Sequence, residues 1–165
     1  MEVQGETLIN LPMSKCWDKL KDYSAPHNYV PDVLDTKIIG DQREGVGALR
    51  KVYMPNAPDG LDETVIEWNE GSGFTIRMHK GEKRAIPIFD EIRFQYLIED
   101  AGNDQTWFRP TMTFIPRFGL KILSNLLIKK QMVKTLAVIG QSMKEFYETG
   151  QPTSPERIKE IKASV

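Results

Sequence analysis

The chain has 165 residues, of which 40% are hydrophobic and 27% charged, a globular balance with length enough for one domain and its own core. Its 22 basic and 23 acidic residues are mixed along the chain and leave a net charge of -1, so electrostatics gives no reason to expect nucleic acid. The single cysteine, Cys16, excludes an internal disulfide and suits a reducing compartment. The first residues carry no basic, apolar leader, and no run reaches the roughly 18 apolar residues of a membrane span, so a cytoplasmic protein without stable membrane insertion is expected.

Val3 to Ile9 is rich in β-formers and predicts a first strand. Pro12 suits a first helical turn, and Cys16, Trp17 and Leu20 recur on one face of a short helix ending near Asp22. A second helical turn is expected around Ser24 to Tyr29. Val33 to Ile39 and Ala48 to Met54 read as strands, with Gly40 to Gly47 between them and a strong turn signal at Pro55 to Gly60. Asp62 to Trp68 and Phe74 to Lys80 flank Asn69 to Gly73 as a hairpin. Beyond the charged connection Gly81 to Pro87, the stretch Ile88 to Glu99 alternates, with Ile92, Phe94, Tyr96 and Ile98 on one face. Asp100 to Asp104 turns it into a last strand, Gln105 to Ile115. About seven strands on hairpin-length loops predict a largely antiparallel sheet.

Past Gly119 the period changes. Apolar residues recur at three and four positions from Leu120 to Tyr147 (Ile122, Leu126, Val133, Leu136, Gly140, Met143, Tyr147), which predicts one long helix. Residues 1–149 are expected to form a single domain. Residues 150–165 are expected to be a partly mobile tail, in which Ser154 and Pro155 can open a short helix. A single helix laid on a curved sheet, with the two layers touching only at their edges, leaves a hollow that can hold a ligand.

Several segments resemble a known superfamily. Glu6-Thr7-Leu8-Ile9-Asn10-Leu11-Pro12 followed by Cys16-Trp17-Asp18 is similar to its opening "I-N-x-P…V-W" segment. Tyr23 with Tyr29-Val30-Pro31 resembles the stretch that follows, without the Trp or Phe common there. Gly45-Val46-Gly47-Ala48-Leu49-Arg50 resembles a "G-V-G-x-x-R" turn into a strand, and Glu67-Trp68 before Gly71-Ser72-Gly73 is also similar. The order and spacing of these segments, from about Glu6 to Glu148, resemble the SRPBCC superfamily of Bet v 1-like and START-related domains. Within it the chain looks most like the bacterial polyketide cyclase/dehydrase and lipid-transport branch. The resemblance implies an α+β helix-grip fold: a curved, about seven-stranded antiparallel sheet wrapped around one long C-terminal helix, with two short helices after the first strand. It implies a cavity and leaves the reaction open.

Recognised chemistry is sparse. The two histidines, His27 and His79, and Cys16 have no zinc-ligand spacing, and there is no G-x-S-x-G, P-loop or dinucleotide fingerprint. No metal and no cofactor are expected. Strand alternation offers Ile76, Met78, Phe94, Phe108, Met112 and Phe114 as an apolar lining, with Val133, Ala137 and Gly140 opposite them on the helix. The competing reading is that these side chains pack on one another as solid core. A glycine inside a helix costs about 1 kcal/mol relative to alanine, so Gly140 either leaves room for a ligand or permits close helix–sheet contact. Arg50, Glu67 and Tyr96 are candidate polar anchors, with Tyr29 in the superfamily-like stretch and His79 and Arg109 as weaker ones.

The leading expectation is binding, transport or sensing of a hydrophobic small molecule (a lipid, isoprenoid or polyketide-like compound) by a monomer or homodimer. The alternative is a cofactor-independent polyketide cyclase/aromatase-type enzyme using Arg50, Glu67 and Tyr96. The segments Phe114 to Phe118 and Leu126 to Lys130 form an apolar patch bordered by lysines, which reads first as ordinary helix packing and otherwise as a surface for a membrane or second subunit.

Overall fold

Glycines and prolines cut the period-two segments into strands. The computed structural model describes residues 1–117 and 125–165, with backbone alone at 125–128. Its elements run β1 (Glu2–Gln4), β2 (Thr7–Ile9), α1 (Met13–Leu20), a 3-10 turn (Pro26–Asn28), β3 (Asp35–Ile39), β4 (Leu49–Met54) and β5 (Ala57–Asn69). Then follow β6 (Gly73–Lys80), β7 (Lys83–Arg84), β8 (Phe89–Gly102), β9 (Gln105–Phe108), β10 (Thr111–Pro116), α2 (Asn125–Thr149) and α3 (Pro155–Ser164). The expected helix start at Leu120, the position Ile122, and the side chains of Phe118 and of Leu126 to Ile128 fall outside the described residues.

The sheet order is β1-β10-β8-β6-β5-β4-β3, antiparallel throughout, with β2 on β9 and β9 on β8. The expected first strand is broken at Gly5-Glu6 and the expected last strand at Arg109-Pro110. The two breaks lie side by side, joined by the Gly5 amide donating to the Pro110 carbonyl at 2.9 Å. Proline has no amide to give the ladder, so the sheet bends there and curves around α2. With β1 and β2 counted as one pass, β9 and β10 as another, and β7 as an appendage of β6, the chain makes the seven passes expected. One turn differs. The signal at Pro55 to Gly60 shrinks to a tight reversal at Pro55-Asn56, and β5 starts at Ala57 opposite Met54. Gly60, at φ +86°, absorbs the irregularity while the Lys51 stem fills the space beside it.

The buried face of the sheet meets Leu136, Ile139, Met143 and Tyr147 of α2 in one core. The end of that core is closed by α1 through Cys16, Trp17 and Leu20. Glu70 fastens α1 to the β5–β6 hairpin: the indoles of Trp17 and Trp68 donate to its two carboxylate oxygens, each at 2.9 Å. Those two bonds hold its carboxyl below the ordinary glutamate range.

The stretch expected as a partly mobile tail carries α3, packed on α2. Ser154 caps it by accepting from the Arg157 amide at 3.2 Å, and Ile161 is 2% exposed against the domain. Arg157 grips Glu145 of α2 through both Nε and Nη2, at 3.0 and 2.7 Å. That bond, more than burial opposing it, holds the Glu145 carboxyl below its ordinary value. A depressed folded value means that the contribution is complete above the unfolded glutamate value of about 4.3 and is lost as pH falls through the lower folded one. Amide exchange in α3, corrected for intrinsic rate, is therefore expected to quicken below about pH 4 while β8 stays protected. Equal protection of α3 at acid and neutral pH would rule this grip out.

Candidate functional site

Two regions of the interior compete for the role of site. The first is an apolar cleft of ≈ 450 Å³ between the sheet and the N-terminal half of α2. Its walls are Met54, Ala57 and Leu61 from the β4–β5 hairpin and Ala85, Ile86 and Ile88 from the β7–β8 connection. Phe89, Ile92, Met112 and Phe114 line it from β8 and β10, and Met132 closes it from α2. Among the described residues its one charged lining group is Lys80. Met78, Met112 and Met132 touch both this cluster and the main core, so three flexible thioether side chains separate the cleft from the interior.

The second region lies deep in the core. Arg50, 1% exposed, points inward from β4. Its Nε donates to Glu63 Oε2 at 2.6 Å, Nη1 to the Tyr23 carbonyl at 3.1 Å and Nη2 to the Tyr96 hydroxyl at 3.2 Å. Its guanidinium also lies 4.1 Å from the centre of the Tyr23 ring. Arg50 and Glu63 stand directly opposite in the β4–β5 ladder, which fixes both side chains on one face. Burial opposes the charge on Arg50, but Glu63, Tyr96 and Tyr23 outweigh it and hold the guanidinium protonated well above its ordinary range. Burial also raises the hydroxyls of Tyr23, Tyr29, Tyr96 and Tyr147 above the usual tyrosine value. These tyrosines are neutral, and among the described residues Glu63 is the one carboxylate paired with Arg50.

The expected site residues therefore separate. Met78, Met112 and Phe114 line the cleft. Ile76, Phe94, Phe108 and Tyr29 are packed in the main core with Tyr96. Arg50 and Tyr96 are brought together, whereas Glu67 is on the outer face, accepting from the Thr75 hydroxyl at 2.9 Å. The cause is a register shift between Val65 and Glu67. A bulge reverses the face of everything after it.

The helix expectations need correction at three positions. Val133 is 45% exposed. Ala137 borders the groove between α2 and α3 with Gln141 and Ile161. Gly140 is buried against β2, where an added Cβ would lie 3.1 Å from the Thr7 Cβ. Its role is close approach, not room for a ligand. For Ala137 the physical reason is that α3 packs beside it on α2. The helix is apolar on two sides, and periodicity alone does not say which side meets the sheet.

The weaker anchors face outward. His79 sits between the Thr64 hydroxyl and the Gly81 carbonyl, each at 2.7 Å, and Arg109 pairs with Glu6 and Glu99. The Cys16 thiol is buried, and burial pushes it above its usual value, away from nucleophilic use. Among the described residues no three of His, Cys, Asp and Glu converge as metal ligands, and no helix is long and apolar enough to cross a membrane.

Sequence reading missed Glu63, Met54, Leu61, Phe89, Ile92 and Met132. A signal for Glu63 was present: Leu61, Glu63 and Val65 share one period-two face, so a carboxylate stands in an apolar row. For Met132 the spacing to Leu136 and Ile139 was the clue.

Three other hollows do not compete, because charged and polar groups share their walls. One of ≈ 180 Å³ beside Tyr23 is walled by Asp18, Lys21, Asp22, Arg43 and Glu44. Two others, of ≈ 540 and ≈ 380 Å³, flank α3 on the outside of the domain, with lysines, glutamines and Arg157 in their walls.

Comparison with solved structures shows the fold again. A START superfamily protein from Mycobacterium smegmatis is 11% identical with a TM-score of 0.69, over 91% of this chain and 99% of that one. The Zhui aromatase/cyclase from Streptomyces sp. R1128 is 13% identical with a TM-score of 0.65, over 90% and 93%. A Thalictrum flavum norcoclaurine synthase point mutant, in complex with a transition state analogue, is 13% identical with a TM-score of 0.68, over 91% and 95%. No curated protein matches the chain in a sequence comparison. Residues 1–136 match the family model for polyketide cyclase / dehydrase and lipid transport, and with the helix-grip architecture already in place the chain belongs to that family.

Proposed function

We propose that the protein holds a hydrophobic small molecule, of lipid, isoprenoid or polyketide-like kind, in the cleft between sheet and α2, acting as a carrier or sensor. One observation carries this reading: an opening of ≈ 450 Å³, within the few hundred to about 1,000 Å³ typical of ligand pockets, walled almost wholly by aliphatic, methionine and phenylalanine side chains. Four methionines in that wall (Met54, Met78, Met112, Met132) let it adapt to ligands of differing shape. The likeness to an aromatase/cyclase suits ligand binding as well as chemistry upon a ligand. Catalysis by Arg50 and Tyr96 draws no support from the geometry, because Arg50 is already bonded to both Tyr96 and Glu63, and Glu67 lies on the far side of the sheet.

Native mass spectrometry of the purified protein, followed by denaturing extraction, is expected to find a bound lipid-like or aromatic molecule. After its removal, an environment-sensitive apolar dye is expected to titrate to one site. Met112→Trp and Met132→Trp place indoles in the opening and are expected to weaken dye binding about tenfold or more while changing stability little. Unchanged affinity in both variants would show that the cleft is not the site.

A further inference from the structure

The mouth of the cleft has an uneven surface. Ile86 and Ile88 stand on its lip, 44% and 43% exposed, while their inner atoms line the opening. Around them is a ring of cations. Lys80 lines the cleft, and Lys83 and Arg84 form the β7 edge paired to β6. The Arg117 amide donates to the Ile88 carbonyl at 3.1 Å, which fixes that residue beside the lip. Across the opening, Lys129 and Lys130 are exposed on α2, within a turn of the cleft-lining Met132. Against these six cations the described part of the mouth carries the carboxylates Asp59, Glu82 and Asp90, and Asp90 is already paired with Arg84 at 2.8 Å. The whole chain has a net charge of -1, so positive charge is concentrated at this one end.

We propose that this rim is a docking surface for an anionic lipid bilayer, with Ile86 and Ile88 entering the interface and the six cations lying over the headgroups. The inference rests on the ligand-binding reading for its purpose. An apolar molecule leaving the cleft for water would lose its burial, whereas an apolar lip pressed into a bilayer gives a continuous apolar route. The charges supply the attraction. Each Lys or Arg close to an anionic surface strengthens attachment by roughly fivefold, an effect that salt screens. Two isoleucines alone anchor too weakly to hold, so attachment needs both parts and is reversible.

The test is flotation of the full chain with vesicles of phosphatidylcholine mixed with phosphatidylglycerol, against vesicles of phosphatidylcholine alone. Binding is expected to the anionic vesicles only, and to fall as salt is raised. Lys83→Glu combined with Lys129→Glu and Lys130→Glu touches no cleft-lining residue. It is expected to reduce vesicle binding at least tenfold while leaving dye uptake and melting temperature unchanged. Ile86→Ser with Ile88→Ser is expected to reduce vesicle binding as strongly even at low salt. No binding to anionic vesicles, or equal binding by the wild type and the charge-reversed variant, would overturn the proposal. So would self-association through this face, read as a dimer that the same charge reversals dissociate. Vesicle binding by a protein that takes up no dye would instead refute the ligand-binding reading and leave the docking surface standing.

Discussion

Arg50→Met is expected to destabilise the domain by about 3–5 kcal/mol, among the largest effects of any single substitution in the chain. The methionine fills much of the space, so the loss is electrostatic. Glu63, 6% exposed, keeps its position opposite in the ladder but loses its ion-pair partner, and the Tyr23 carbonyl and Tyr96 hydroxyl lose their donor. An unpaired buried carboxylate is costly to keep charged. Glu63→Leu is expected to cost a comparable amount by orphaning the guanidinium. The double variant Arg50→Met/Glu63→Leu should recover most of the loss, because replacing both members of a buried pair by apolar groups is often close to neutral. Chemical denaturation of the four proteins gives the cycle, with a coupling of about 2 kcal/mol or more expected. Additive losses would mean that the two charges are not balanced by each other. The cycle also bears on function: if the double variant keeps full dye binding, the polar cluster is a strut of the fold and the cleft works without it.

The order and type of the elements were legible because they rest on period and punctuation. Hairpin glycines, the Pro12 helix start and the change of period after Gly119 each act locally, and together they require an antiparallel sheet closed by one helix. Arg50 was legible as an inward-facing charge because its strand follows a defined turn. What failed was long-range register. The irregularity at Ile66 places Glu67 outside and Glu63 inside, and no local feature of Asp62 to Trp68 marks where the count slips. Ala137 failed for a related reason: α2 has a second neighbour, α3, which arises from a segment whose composition reads as solvent-exposed. Val133 is apolar yet exposed, which periodicity does not reveal. The cleft was expected as a single hollow along the sheet. It is confined to one end because Phe74, Phe94, Tyr96 and Phe108 meet Tyr29 and Tyr147 in one aromatic core that fills the other end, and side-chain volume across strands far apart in sequence cannot be summed from alternation.

Gly140→Ala separates the two meanings that a mid-helix glycine can have. By propensity alone the alanine should stabilise α2 by about 1 kcal/mol, and in a helix facing an open cavity that gain would be realised. Here the new methyl carbon would collide with the Thr7 hydroxyl oxygen and lie 3.1 Å from the Thr7 Cβ. Thr7 is β-branched and paired with Phe108, so it has little freedom to turn aside. The helix must shift away from β2, loosening Leu136 and Met143 on either side of the contact. Overpacking of this kind costs about 1–3 kcal/mol after the gain in propensity is set against it. Gly140→Ala is accordingly expected to lower the melting temperature by several degrees. Thr7→Ala, which removes the clashing oxygen, should be nearly neutral by itself and should restore most of the stability of Gly140→Ala when the two are combined. A stabilised single variant would show that α2 and β2 are not in contact at this point, and would return Gly140 to the wall of a cavity. Because the contact lies in the core and not at the cleft, dye affinity is expected to stay the same across all three variants. The glycine then belongs to the mechanism by which the sheet grips its helix, and the ligand's space is made elsewhere, by the gap that Met78, Met112 and Met132 leave toward the mouth.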